Sequence, residues 1–136
     1  MQKNIGYREI EHTADWELHV WAPDLTTLLK IAAQGMYELS NTELAAGSRE
    51  MREFVIPFVD RETLLVDFLV ELLFLSEDEG IAFDDYQLRL NSGILKVKAR
   101  GGPIQNQAKE IKAVTYHGLQ ILETKRGLEV RIVFDV

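Results

Sequence analysis

The feature that most constrains this chain is a leucine-rich stretch opened by Asp60, in which Leu64, Leu65, Phe68, Leu69, Leu72 and Leu73 recur at helical steps on one broad stripe. A helix carrying that stripe has to bury it. Each fully buried large side chain contributes about 1.5–3 kcal/mol, so the stripe outweighs any single polar contact in the molecule. Asp60 can cap the free amides of its first turn, and the acids and glycine of Ser76 to Gly80 close it. A second amphipathic helix follows Asp24, with Leu25, Leu28, Leu29, Ala32, Met36 and Leu39 at three- and four-residue steps and an end near Ser40-Asn41.

The remaining apolar residues follow period two. Trp16 to Trp21 reads as a strand with one face buried and the other partly covered. Leu44 to Arg49 reads as a connecting loop, and Met51 to Phe58 as a strand that ends, or lies on an edge, at Pro57. Tyr86, Leu88 and Leu90 form one arm of a hairpin, Ser92-Gly93 its turn, and Leu95, Val97 and Ala99 the other arm, ending in a turn at Gly101-Gly102-Pro103. Ala113 to Tyr116, Leu119 to Glu123 and Leu128 to Phe134 read as further strands, the last preceded by a turn at Lys125-Arg126-Gly127. Early helices and late strands predict an α+β protein: one domain over residues 1–136, with a largely antiparallel sheet and both helices packed on one face.

Composition narrows the chemistry. With no cysteine among 136 residues, disulfides, thiolate metal sites and cysteine nucleophiles are excluded, and any metal must be held by oxygen or imidazole. A net charge of −7 opposes polyanions over most of the surface, so strong direct nucleic-acid binding is not expected. Lys96, Lys98 and Arg100 alternate along one strand and share a face. The plain reading of that row is a solvated strand face, and the alternative is a local basic patch. No apolar run approaches the roughly 18 residues of a membrane span, and the opening residues lead into no signal segment, so a cytoplasmic protein away from membranes is expected.

Polar chemistry concentrates in three places. Glu11-His12-Thr13-Ala14-Asp15 crowds carboxylates, an imidazole and a hydroxyl just before a strand, although the plainer reading from spacing is that Thr13 or Asp15 only satisfies turn amides. Asp135 is followed only by Val136 and its α-carboxylate; if the last strand is paired to its end, these oxygens suit Ca²⁺ or Mg²⁺ rather than zinc, and if it frays they are simply solvated. Ile111 to Gly118 brings Lys112, Thr115 and His117 to a strand and its exit, where Lys112 is either solvated or a counter-charge to those acids. His12, His19 and His117 are conceivable as an acid/base or metal set, but His19, between Leu18 and Val20, reads most simply as a half-exposed sheet residue. Spacing alone leaves these alternatives open.

Taken together, Glu11-His12-Thr13-Ala14-Asp15, the Leu64 to Leu75 helix, Ile111 to His117 and the terminal Asp135-Val136 resemble the archease family in order and spacing, from Tyr7 to Val136. The resemblance implies a small α+β accessory protein, not itself an enzyme, that assists an RtcB-type RNA ligase in tRNA splicing and RNA repair. It implies faster formation of the ligase–guanylate intermediate, support of multiple turnover and a broadened nucleotide specificity, with a general chaperone role also proposed for the family. It further implies a metal site at Asp15, Asp135 and Val136, supported by His12 and Lys112, holding a divalent ion, Ca²⁺ with Mg²⁺ as the alternative. Two departures stand out. The last residue is more often isoleucine in the family, which is harmless if Val136 acts through its carboxylate, and Gly101-Gly102 stands where an acidic residue often follows the glycine. The rival readings are a metal-dependent hydrolase using Asp15, Asp135 and His12 around an activated water, and a chaperone without metal dependence.

Overall fold

Two helices and the strands around them share one hydrophobic core in the computed structural model, which describes residues 4–11, 15–116 and 118–136. In chain order the elements are β1 (Gly6–Glu11), β2 (Asp15–Ala22), α1 (Leu25–Leu39), β3 (Glu43–Leu44), β4 (Glu50–Pro57), α2 (Arg61–Glu79), β5 (Ile81–Asn91), β6 (Ile94–Asn106), β7 (Ala113–Thr115), β8 (Leu122–Thr124) and β9 (Gly127–Asp135). The expected α+β class with antiparallel pairing holds, and the strands divide between two sheets.

Both helices start as their sequences dictate. The Asp24 carboxylate accepts from the Thr27 amide at 2.9 Å, and that of Asp60 from the Thr63 amide at 2.7 Å, each satisfying an amide that the helix itself leaves free. Gly80 ends α2 in the left-handed conformation (φ 67°), which glycine adopts without steric cost. Leu64, Leu65, Phe68, Leu69 and Leu72 are fully buried as expected. Leu73 is only half-buried, and Val66 and Leu75 occupy the core in addition.

β9 organises the five-stranded sheet. β2 pairs along one edge of it from Ala22↔Leu128 to Asp15↔Asp135, while β7 and β8 share the opposite edge, and β1 pairs β2 on the outside. Leu18, Val20 and Ala22 of β2 and Leu128, Val130, Ile132 and Phe134 of β9 face the core. The alternate residues, Asp15, Glu17, His19 and Trp21 opposite Asp135, Val133, Arg131 and Glu129, therefore line the outer face. His19 is partly buried there, its Nε2 3.0 Å from Glu129 Oε2.

The second sheet centres on β6, flanked by β4 and β5, with the short β3 pairing its far end. The β5–β6 hairpin turns at Ser92-Gly93, both at positive φ, as a two-residue hairpin loop requires. Gly101-Gly102-Pro103 is not the expected turn: β6 runs through it to Asn106. Glycine is needed there because a Cβ on Gly101 would run into the Ala82 carbonyl oxygen, beside the irregularity in β5 between Phe83 and Asp85. The strand expected over Leu119 to Glu123 is shorter and later, at Leu122–Thr124, while β1 and β3 were not expected as strands.

Candidate metal centre

The cross-strand register brings the two ends of the sequence together. Asp15 begins β2 and Asp135 ends β9, and the pair are direct antiparallel partners, which sets their Cα atoms about 4.5–5.5 Å apart with both side chains on one face. Both residues are exposed. Like charges placed directly opposite each other in a sheet destabilise it, so a cation shared between them offsets a cost built into the pairing.

The last residues are held rather than frayed. Phe134 is fully buried, the Val136 side chain packs against the core, and the Lys112 amide donates to the Asp135 carbonyl at 2.8 Å. Thus Lys112 reaches the site through its main chain, immediately before β7, whose Ala113 is the partner of Asp135 on the other edge of β9. The β7 segment is itself braced against α2: the Tyr116 hydroxyl donates to Asp67 at 3.0 Å, and the Ile121 amide donates to Glu62 at 2.9 Å. Burial, and after it the Asp67 carboxylate, raise the Tyr116 phenol above its ordinary pKa.

Asp15, Asp135, Val136 and the Lys112 main chain are therefore neighbours. His12, with Thr13 and His117, lies outside the described residues. His19 lies two rows from the paired aspartates and is engaged with Glu129. Among the described residues no three His, Cys, Asp or Glu side chains gather closely enough to hold an ion by themselves. A cation here would need main-chain oxygen as well as Asp15 and Asp135. All of these donors are hard oxygens, which fits Ca²⁺ or Mg²⁺ and not zinc.

One neighbour was not singled out from the sequence. The Lys109 ammonium lies over the Trp16 ring, 4.8 Å from its centroid, one residue along from Asp15. The 107–109 segment is pinned to the end of α1, where the Ala108 and Lys109 amides donate to the Ser40 carbonyl at 3.0 and 3.2 Å. Neither side chain carries a spacing signal, since a cation over an aromatic ring arises from tertiary packing.

The fold and this site define a small α+β protein in which an early strand and the last one bring a pair of carboxylates together at one end of the sheet. Residues 7–136 match the model of the Archease protein family (MTH1598/TM1083). The archease of Methanosarcina mazei is 32% identical over 140 residues, covering 96% of this chain and 95% of that protein. The archease of Methanopyrus kandleri is 36% identical over 126 residues, covering 86% and 89%. The solution structure of Methanobacterium thermoautotrophicum protein 1598 superposes with a TM-score of 0.72 at 26% identity, covering 96% of this chain and 99% of that one. The crystal structure of a Thermotoga maritima archease, described as a possible chaperone, gives 0.67 at 27% identity, covering 95% and 96%. The chain belongs to the archease family.

Proposed function

We propose that this protein is a metal-binding accessory factor that activates an RtcB-type RNA ligase in tRNA splicing and RNA repair, promoting ligase guanylylation and multiple turnover and altering the nucleotide the ligase accepts. The reading rests on the family resemblance, and the observation that carries its metal-centred form is the Asp15↔Asp135 pairing at a well-packed strand end. Asp15, Asp135 and the Val136 carboxylate would hold a divalent ion, Ca²⁺ with Mg²⁺ as the alternative, and Lys112 and His12 would support the site. Bound there, the ion supplies positive charge that cancels carboxylate repulsion and fixes the surface presented to the ligase. Asp15 and Asp135 act by orientation, since the strands that carry them are locked in register. Lys112 acts by tethering β7 to the last residues of β9.

The test is a guanylylation assay with a purified RtcB-type ligase and GTP, with and without this protein. Wild-type protein is expected to accelerate ligase–guanylate formation, and folded Asp15→Asn and Asp135→Asn variants to lose at least tenfold of that acceleration. Normal stimulation by both variants would overturn the metal-centred account, and no stimulation by wild type would overturn the accessory role. Without the ligase, no turnover of nucleotide or phosphoester is expected.

A chaperone role is the second reading, favoured by the description of the Thermotoga maritima relative as a possible chaperone. It predicts suppression of aggregation of unrelated proteins that persists in chelator.

A further inference from the structure

On the side of the second sheet away from the core, β6 presents Lys96, Lys98 and Arg100 in one straight row. Arg89 of β5 stands directly beside Lys96, and Gln87 beside Lys98. The inward residues between them, Leu95, Val97 and Ala99, are buried, which fixes the direction of the basic side chains. On β4 the same face carries Val55 opposite Lys96, Glu53 opposite Lys98 and Met51 opposite Arg100. A shallow groove of about 430 Å³ runs between the strands, lined by Arg89, Lys96, Lys98, Glu53 and Gln87 among others. The acids on the face are Glu53, whose Oε1 is 3.5 Å from Lys98 Nζ, and Asp85, opposite Arg100. Cations therefore outnumber acids on this face, whereas the whole chain carries −7.

We propose that this face is a sequence-independent docking surface for the phosphate backbone of a single-stranded polynucleotide. Two observations select that occupant. Alternate residues along a strand repeat every 6.6–6.8 Å or so, close to the through-space interval between successive phosphates of an extended polynucleotide, so each cation of the row can meet its own phosphate. Three of the four cations lie on the central strand and both acids on the flanking strands, which suits a linear anion laid along β6. Among the described residues the outward positions of these strands carry no aromatic side chain, Phe54 of the groove lining being packed toward the core, so binding here rests on charge without base stacking and is weak. An acidic protein segment would gain little from a flat row whose exposed apolar residues are confined to its two ends, Met51 at one and Val55, Pro57 and Ile94 at the other. The proposal needs neither a metal ion nor a ligase, so it stands or falls apart from the function proposed above.

The test is fluorescence anisotropy of the isolated full-length protein with a labelled 20-mer oligouridylate in a KCl series from low to physiological salt. Weak binding is expected, with log K falling against log[KCl] at a slope of about −2 to −3, the value for three or four phosphate contacts to a single strand. The Lys96→Gln/Lys98→Gln/Arg100→Gln variant, checked for fold by circular dichroism, is expected to lose tenfold or more in affinity and to flatten the slope. Lys125→Gln, on the turn before β9, should change nothing. Glu53→Gln, which frees Lys98, should tighten binding two- to threefold, an effect that misfolding would not produce. Binding that survives the triple substitution would overturn the proposal. So would equal competition by polyglutamate of matched charge, because the face would then be a generic acidic-protein site, and so would the absence of salt-sensitive binding at the lowest KCl.

Discussion

Asp15 and Asp135 face each other because β2 and β9 have inward residues, Leu18, Val20, Ile132 and Phe134, that must all reach the same core. A one-residue slip would turn that whole set outward, so the hydrophobic pattern holds the two carboxylates in opposition although they repel. Two opposite effects follow from one substitution. Metal-free Asp15→Asn or Asp135→Asn protein should melt at a slightly higher temperature than metal-free wild type, because a like-charge pair has been removed. In millimolar Ca²⁺ the order should reverse by several degrees, since only the wild type gains the linkage term, about 2.7 kcal/mol when the ion is at one hundred times its dissociation constant. Calorimetry of the proteins with Ca²⁺ and with chelator checks both signs, and a wild-type melting temperature indifferent to Ca²⁺ would count against the site.

Among the elements, those with a strong period were legible beforehand and those defined by what they pack against were not. The two helices could be placed from their stripes and capping aspartates, and the Ser92-Gly93 hairpin from its alternation. β1 escaped notice because Gly-Tyr-Arg-Glu-Ile-Glu is an edge strand with few core-facing residues, and β3 because two residues carry no period. The Gly101-Gly102 reading failed for a physical reason. Glycine marks both turns and places where backbones crowd, and only the nearness of Ala82 separates the two. Of the site, the residue types were legible and their meeting was not, since register between β2 and β9 is a long-range property. Gly101→Ala should therefore destabilise the protein by about 1–3 kcal/mol or more, measured by urea unfolding. Gly102→Ala, whose added carbon would meet the Ser48 carbonyl oxygen at 3.3 Å, should cost clearly less. Equal costs would contradict the crowding account.

For the whole molecule, acidity is a stability variable. The amides of Thr27 and Thr63 hold the Asp24 and Asp60 carboxyls below the ordinary 3.8. Glu129 is held below 4.5, first by the Thr124 hydroxyl and then by His19. A depressed carboxyl pKa in the folded state gives stability that is present above the unfolded value and lost as pH falls through the folded one. Stability should thus be level in this respect above about pH 5 and decline increasingly below pH 4. In Asp24→Asn/Asp60→Asn protein, urea midpoints measured across that range should show a shallower decline, and an unchanged slope would remove the caps from the account.

β9 has a consequence for biogenesis. It is the strand to which β2, β7 and β8 all bind, yet a ribosome makes it after every one of them. Until residue 127 has been added, those strands have no common neighbour, and β2 presents an unpaired edge in the nascent chain. Prematurely terminated chains would lack both the middle of the sheet and half of the carboxylate pair, so the Asp15–Asp135 pair exists only in chains translated to the end of β9.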